Sequence, residues 1–114
     1  MKLRELAEIV NGNVVCCHHK LDSEVEYAFA SDLMSDVLTI HAEKLLLITG
    51  LANMQAVRTA EMADIQAIVF VRNKTVSEDM ITLAEDNGIV LIESPFTMFR
   101  ASGLLFGKGV KPVY

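Results

Sequence analysis

Apolar residues follow two rhythms along this chain, and the switches between them predict its elements. Ala67-Ile68-Val69-Phe70-Val71 and Ile89-Val90-Leu91-Ile92 are unbroken apolar runs rich in β-branched residues. Strands without polar alternation are covered on both faces, the habit of parallel sheets. Between the two runs, Met80, Leu83, Ala84 and Asn87 share one helical face. Ser77 supplies an N-cap, Glu78 and Asp79 place negative charge on the first turn, and Asn87-Gly88 suits a left-handed C-terminal cap. A strand that returns parallel needs such a helical crossover, right-handed almost without exception. Residues 65–94 are therefore expected to form a β-α-β core.

The same rhythms organise the rest of the chain. Leu3, Leu6, Ala7 and Val10 predict a first helix over Lys2 to Val10, stopped by Asn11-Gly12. Asn13 to Cys17 and Glu24 to Ala30 read as strands, the second with Val25, Tyr27 and Phe29 on one face; whether these two pair or flank the sheet is left open by the pattern. Ser31 is the expected N-cap of a short apolar helical turn. Leu45-Leu46-Leu47-Ile48 is a third buried strand ending at Thr49-Gly50, and Asn53 opens a helix to about Ala63 with Ala52, Ala56, Ala60 and Ala63 along one stripe. Ser94-Pro95 reads as the opening of a last helix, serine as N-cap and proline at the first position. Met98, Phe99, Ser102 and Leu105 form its expected inward face, Gly107 and Gly109 end it, and Val110 to Tyr114 is a short tail. The sum is one small α/β domain over residues 1–114, with a largely parallel central sheet and helices on both faces.

Composition narrows the function classes. A chain of 114 residues has room for one core, and 52% hydrophobic against 22% charged residues lets it bury one, which excludes a disordered segment. The net charge of −5, with Lys and Arg scattered singly, argues against a nucleic-acid surface and against anionic membranes. No apolar run approaches the roughly 18 residues that span a bilayer, and Met1 to Val10 mixes Lys, Arg and two Glu where a signal peptide has an apolar core. A cytoplasmic protein is expected. Adjacent Cys16 and Cys17 point to opposite faces of a strand, so free thiols in a reducing compartment fit better than a disulfide framework.

Several strings together resemble the DRTGG domain, a small α/β module found alone or joined to CBS domains, phosphotransacetylases and some inorganic pyrophosphatases. They are Lys2-Leu3-Arg4-Glu5-Leu6-Ala7, Leu21-Asp22-Ser23-Glu24-Val25, and above all Ser31-Asp32-Leu33-Met34-Ser35-Asp36-Val37. Ala67 to Val71, Glu85-Asp86-Asn87-Gly88-Ile89 and Ser94-Pro95-Phe96 continue the pattern over nearly the whole chain. The residues that name the family align on Asp22-Ser23, Glu26-Tyr27 and Ser31, so only the aspartate is kept. The family is also similar in fold to the N-terminal domain of HPr kinase/phosphorylase, which lacks the kinase active site. No Gly-x-x-x-x-Gly-Lys-Ser/Thr string here replaces that site.

Three groups of residues carry candidate chemistry. Cys16-Cys17-His18-His19 offers soft and borderline metal ligands, although consecutive residues do not readily converge on one ion and structural zinc sites draw on separated ligand pairs. Ser31, Asp32, Ser35, Asp36 and His41 include the residue types of a hydrolase, yet no nucleophile elbow is present, and capping accounts for Ser31. The strongest candidate is a rim. In an open parallel sheet, ligands bind beyond the carboxyl ends of the strands. That rim comprises Thr49, Gly50 and Asn53 after the third strand, Arg72 and Asn73 after the fourth, and Ser94 after the fifth, with Asp32 from the preceding loop. Arg72 suits a phosphate or carboxylate, and Gly50 permits close backbone approach.

Met34, Met54, Met62, Met80 and Met98 are read as inward or semi-inward gap fillers, with some available to a subunit interface. The expected protein is a non-catalytic regulatory or ligand-sensing module, a homodimer without a cofactor. The resemblance implies the regulatory class and an adenine nucleotide or small phosphorylated metabolite as ligand. The alternatives are a protein-interaction or dimerisation module with no small ligand, and a metal-binding protein using Cys16 to His19.

Overall fold

Why the apolar runs become strands is visible in their burial. The computed structural model describes residues 1–114. Its strands β1 (Asn13–Val14), β2 (Tyr27–Ala30), β3 (Leu45–Thr49), β4 (Ala67–Phe70), β5 (Val90–Glu93) and β6 (Lys111–Pro112) form one sheet in the order β1-β5-β4-β3-β2-β6. All contacts are parallel except β1 against β5. Every residue of β3 and β4 is buried, as continuous apolar runs require.

The helices are α1 (Leu3–Ile9), α2 (Met34–Val37), α3 (Met54–Met62), α4 (Glu78–Asn87) and α5 (Met98–Gly107). From β2 to β5 the chain steps across the sheet in one direction, so right-handed crossovers put α2, α3 and α4 on one face. The connection from β5 to β6 runs back the other way and puts α5 on the opposite face, where it meets α1. The expected β-α-β core at 65–94 is β4-α4-β5. Ser77 caps α4 by accepting from Met80 N at 3.2 Å, and Gly88 ends it at φ +66°. Asn53 caps α3 in the same way through Ala56 N, and Ala56 and Ala60 on its stripe are fully buried.

Elsewhere tertiary contacts override the local pattern. β1 and β2 lie toward opposite ends of the sheet and do not pair with each other. Of the run from Asn13 to Cys17 only Asn13–Val14 forms the strand; Val15 N still donates to Leu91 O at 3.0 Å, and Cys17 then turns left-handed at φ +60° into a short 3-10 turn over His18–Lys20. The tail contributes β6, which lies parallel to β2. Ser31 does not cap α2; its Oγ accepts from Leu33 N at 3.0 Å in a local turn, and Leu33 precedes the helix without a side-chain cap.

Ser94 does not cap α5 either. Its buried hydroxyl donates to Val10 O at 2.7 Å, tying the sheet to the end of α1, and Thr97 caps α5 through Arg100 N. With the helix starting three residues later than Pro95, its inward positions are Ala101 and Leu105, while Phe99 is 90% exposed. Asn87 is exposed and donates to Leu83 O, leaving Met80 and Ala84 as the buried face of α4. Met34 and Met80 are buried as expected, but Met62 at the end of α3 is exposed. No helix is long and apolar enough to cross a membrane.

Candidate functional site

The parallel strands share one direction, so the loops leaving β2, β3, β4 and β5 gather along one edge of the sheet. Three of these loops enclose a polar cleft of about 400 Å³. Asp32 enters from the β2–α2 loop, Gly50 to Asn53 from the β3–α3 loop, and Arg72, Lys74 and Thr75 from the β4–α4 loop.

Asp32 fastens the first loop to the second. Its Oδ1 accepts from Thr49 Oγ1 at 3.0 Å and from Gly50 N at 2.6 Å, while Thr49 Oγ1 in turn accepts from Leu51 N at 3.1 Å. Gly50 leaves room for an arginine side chain. A Cβ there would sit 3.1 Å from Arg72 Nε, 3.2 Å from Nη2 and 3.4 Å from Asp32 Oδ1, so the guanidinium lies directly over this backbone. Just beyond, α3 begins with the N–H groups of Met54 and Gln55 unbonded within the chain, the orphan donors of a helix start.

The third loop is held in a costly conformation. Arg72 and Asn73 are both left-handed, at φ +64° and +60°. A non-glycine residue there costs roughly 1–2 kcal/mol, less for asparagine, and persists only where the surroundings impose it. Here Arg72 N donates to Phe96 O at 2.7 Å, Asn73 N donates to Ser94 O at 3.0 Å, and Val76 N donates to Glu93 Oε2 at 2.8 Å. The main chain is thus pinned to the β5–α5 loop while the Arg72 side chain projects over Gly50.

The chain's ion pairs are Met1 with Glu24, Arg4 with Asp22 and Lys111 with Glu26; neither Arg72 nor Lys74 takes part in one. Two cations without a carboxylate partner therefore border one cleft, opposite the start of a helix. Such a surface can hold a phosphate or carboxylate through charge-assisted hydrogen bonds.

Of the residues expected at the rim, Asp32, Gly50, Asn53 and Arg72 line the cleft. Thr49 is fully buried beneath it and supports Asp32. Asn73 and Ser94 do not line it: the bonds from Arg72 and Asn73 to Phe96 and Ser94 close the gap between the loops after β4 and β5, which shifts the opening toward β3. Lys74 and Thr75 join the cleft without having been anticipated. Their place in the same strand-end loop as Arg72 was the available signal.

The Cys16 to His19 cluster does not assemble. Both thiols are buried and directed at main-chain carbonyls, Cys16 Sγ 3.5 Å from Ile89 O and Cys17 Sγ 3.9 Å from Ala84 O, whereas His18 and His19 are exposed. Burial pushes the Cys16 thiol up to about 11, so it stays protonated at neutral pH. No three His, Cys, Asp or Glu side chains meet anywhere in a group that could hold a metal ion.

Among solved structures, this fold is similar to the CBS and DRTGG domains of the regulatory region of Clostridium perfringens pyrophosphatase, complexed with the activator diadenosine tetraphosphate. The TM-score is 0.74 at 16% identity, covering 98% of this chain and 48% of that one. At that identity the likeness establishes the fold, and this chain spans about half the length of that regulatory region. No curated protein matches the sequence. A family model described as the DRTGG domain matches residues 5–106, nearly the whole chain, and the chain therefore belongs to the DRTGG domain family.

Proposed function

We propose that this chain is a non-catalytic regulatory module of the cytoplasm that senses a phosphate-bearing small molecule in the cleft between the β3 and β4 loops. An adenine nucleotide is the first class to test. The observation that carries the reading is the pair of unpaired cations, Arg72 and Lys74, facing the N-terminal end of α3 across a cleft lined mostly by polar residues. Membership of a family of regulatory modules supports the regulatory class. The activator in the pyrophosphatase complex makes a nucleotide the natural starting ligand.

In this reading the phosphate meets Arg72 first. A guanidinium presents a planar fork of donors to phosphate oxygens, and Lys74 adds a mobile point charge at the mouth. Asp32 takes no direct part; its carboxylate holds Gly50 and Thr49 in place and limits the net positive charge of the cleft. Occupancy would fix the Arg72 side chain over Gly50 and, through the main-chain bonds of Arg72 and Asn73, the β5–α5 loop.

A thermal-shift screen with adenine and guanine nucleotides and acyl phosphates tests this directly. A ligand at about a hundred times its dissociation constant stabilises the fold by roughly 2.7 kcal/mol. We expect at least one phosphate-bearing ligand to do so, and Arg72→Ala and Lys74→Ala each to weaken the response. A flat response to every member of the panel, or turnover of a nucleotide by the purified chain, contradicts the proposal.

A further inference from the structure

On the other face of the sheet lies a second concavity of about 330 Å³, and its character is the reverse of the cleft. Ala28, Ala30 and Ile48 form its floor, and Phe99, Gly103 and Phe106 of α5 form its wall. Of the seven large hydrophobic residues that remain exposed in the chain, three are on α5: Phe99 at 90%, Phe106 at 68% and Leu104 at 37%. A chain this small rarely leaves so much aromatic surface on one helix unless something covers it.

We propose that this groove and the outer face of α5 bind a second copy of the same chain, forming a two-fold dimer. Phe99 and Phe106 are seven residues apart, two helical turns, so they project from the same side with Gly103 midway. A Cβ at Gly103 or Gly107 would meet no atom within 4 Å, so both glycines are open recesses beside the two rings. An antiparallel pairing of α5 with its copy about an axis near Gly103 places each ring in a recess of the other, as an isologous interface requires.

A fully exposed aromatic side chain offers about 150–250 Å², so these two rings at their exposures supply on the order of 250–400 Å² per copy, up to half of the roughly 800 Å² that each partner contributes to a standard interface. The groove walls, Leu104 and the exposed edge at Lys111 and Pro112 lie alongside to supply the remainder.

Charge points the same way. Between Phe99 and Phe106 the one charged side chain of α5 is Arg100, whose guanidinium lies 3.8 Å over the Phe96 ring; Lys111 pairs with Glu26 at 3.6 Å, and Lys108 follows the helix as an exposed, unpaired cation. The stretch between the two rings is therefore apolar, which suits an identical apolar face better than an acidic protein or an anionic membrane. The exposed Met62 lies on α3, on the other face of the sheet, and has no part in this contact. The inference is independent of what the polar cleft binds.

Sedimentation equilibrium of the full chain decides it. At tens of micromolar we expect a mass twice the 12.6 kDa of one chain. Phe99→Glu and Phe106→Glu should each raise the dissociation constant roughly thirtyfold or more, the effect of removing a central aromatic anchor. Because both side chains are exposed in the single chain, circular dichroism should show the variants folded. Met62→Ser removes an exposed hydrophobic side chain from α3, on the other face of the sheet, and should leave the dimer intact. A monomer at this concentration overturns the proposal. So does a dimer indifferent to both Phe substitutions, or a monomer that cosediments with phosphatidylserine vesicles through Phe99.

Discussion

Two hollows of similar size lie on this small domain, and they are made in different ways. The cleft past the ends of β3 and β4 is polar, cationic and built from loops, with Arg72 and Asn73 held left-handed by bonds to the β5–α5 loop. The groove beneath α5 is apolar and built from a helix and strands, with no left-handed residue among those lining it. Two of the chain's six left-handed non-glycine residues, Arg72 and Asn73, adjoin each other in the loop that aims a charged side chain over Gly50; the other four are scattered singly. Where only apolar surface has to be presented, unstrained helix suffices. On the proposed reading, that difference separates a site for a small anion from a surface for a second copy.

The comparison can be broken from the cleft side at Asp32. Asp32→Ala leaves Gly50 N and the Thr49 hydroxyl without their acceptor, and we expect a loss of about 1–3 kcal/mol in denaturant-derived stability. Asp32→Asn keeps an acceptor in place while deleting the charge that opposes Arg72 and Lys74. It should fold with nearly native stability and bind a phosphate-bearing ligand about fivefold more tightly, since a nearby unit charge is worth roughly 1 kcal/mol in water. Weaker binding by Asp32→Asn, read by calorimetry, would mean that the carboxylate itself contacts the ligand. Neither substitution should alter the mass of the assembly, because the groove does not include this loop.

Much of this organisation was legible in the residues. Continuous apolar runs marked β3, β4 and β5, and Ser77, Gly88 and Asn53 bounded their helices because each of those residues satisfies its cap locally. Ser94 was misread for the complementary reason. Serine before proline fits a helix start, but a partner far away in sequence, Val10 O, takes its hydroxyl. Phe99 was misplaced because α5 carries large apolar residues on more than one side, so periodicity selects no inward face; the surplus that blurred the pattern is the surface that stays exposed. Of the residues the strand-end rule points to, Gly50, Asn53 and Arg72 line the cleft, together with Asp32 from the preceding loop. The rule placed Asn73 and Ser94 beside them and missed Lys74 and Thr75, because a left-handed arginine has no sequence signature and its turn redirects the loop.

A pH effect sharpens the comparison by lying in neither hollow. The Cys16 thiol is pushed up to about 11 by burial, so the folded state holds its proton more tightly than the unfolded chain does. The resulting stability term is fully present below the ordinary thiol range and is lost as pH rises from about 9 through 11. Denaturation curves across that window should show the decline, and Cys16→Ala should flatten it without changing ligand response or assembly. A decline of the same size in the variant would assign it to other groups.

The most direct test of the account is a calorimetric titration of ATP into the native chain and into Arg72→Gly. Glycine accepts the left-handed turn without penalty, so this variant should be as stable as the native chain or more stable, by on the order of 1 kcal/mol, while losing the guanidinium. The account predicts measurable binding to the native chain and binding at least about tenfold weaker to a variant that is no less stable. Equal affinity in the two proteins, or no heat from the native chain at millimolar nucleotide, would contradict it.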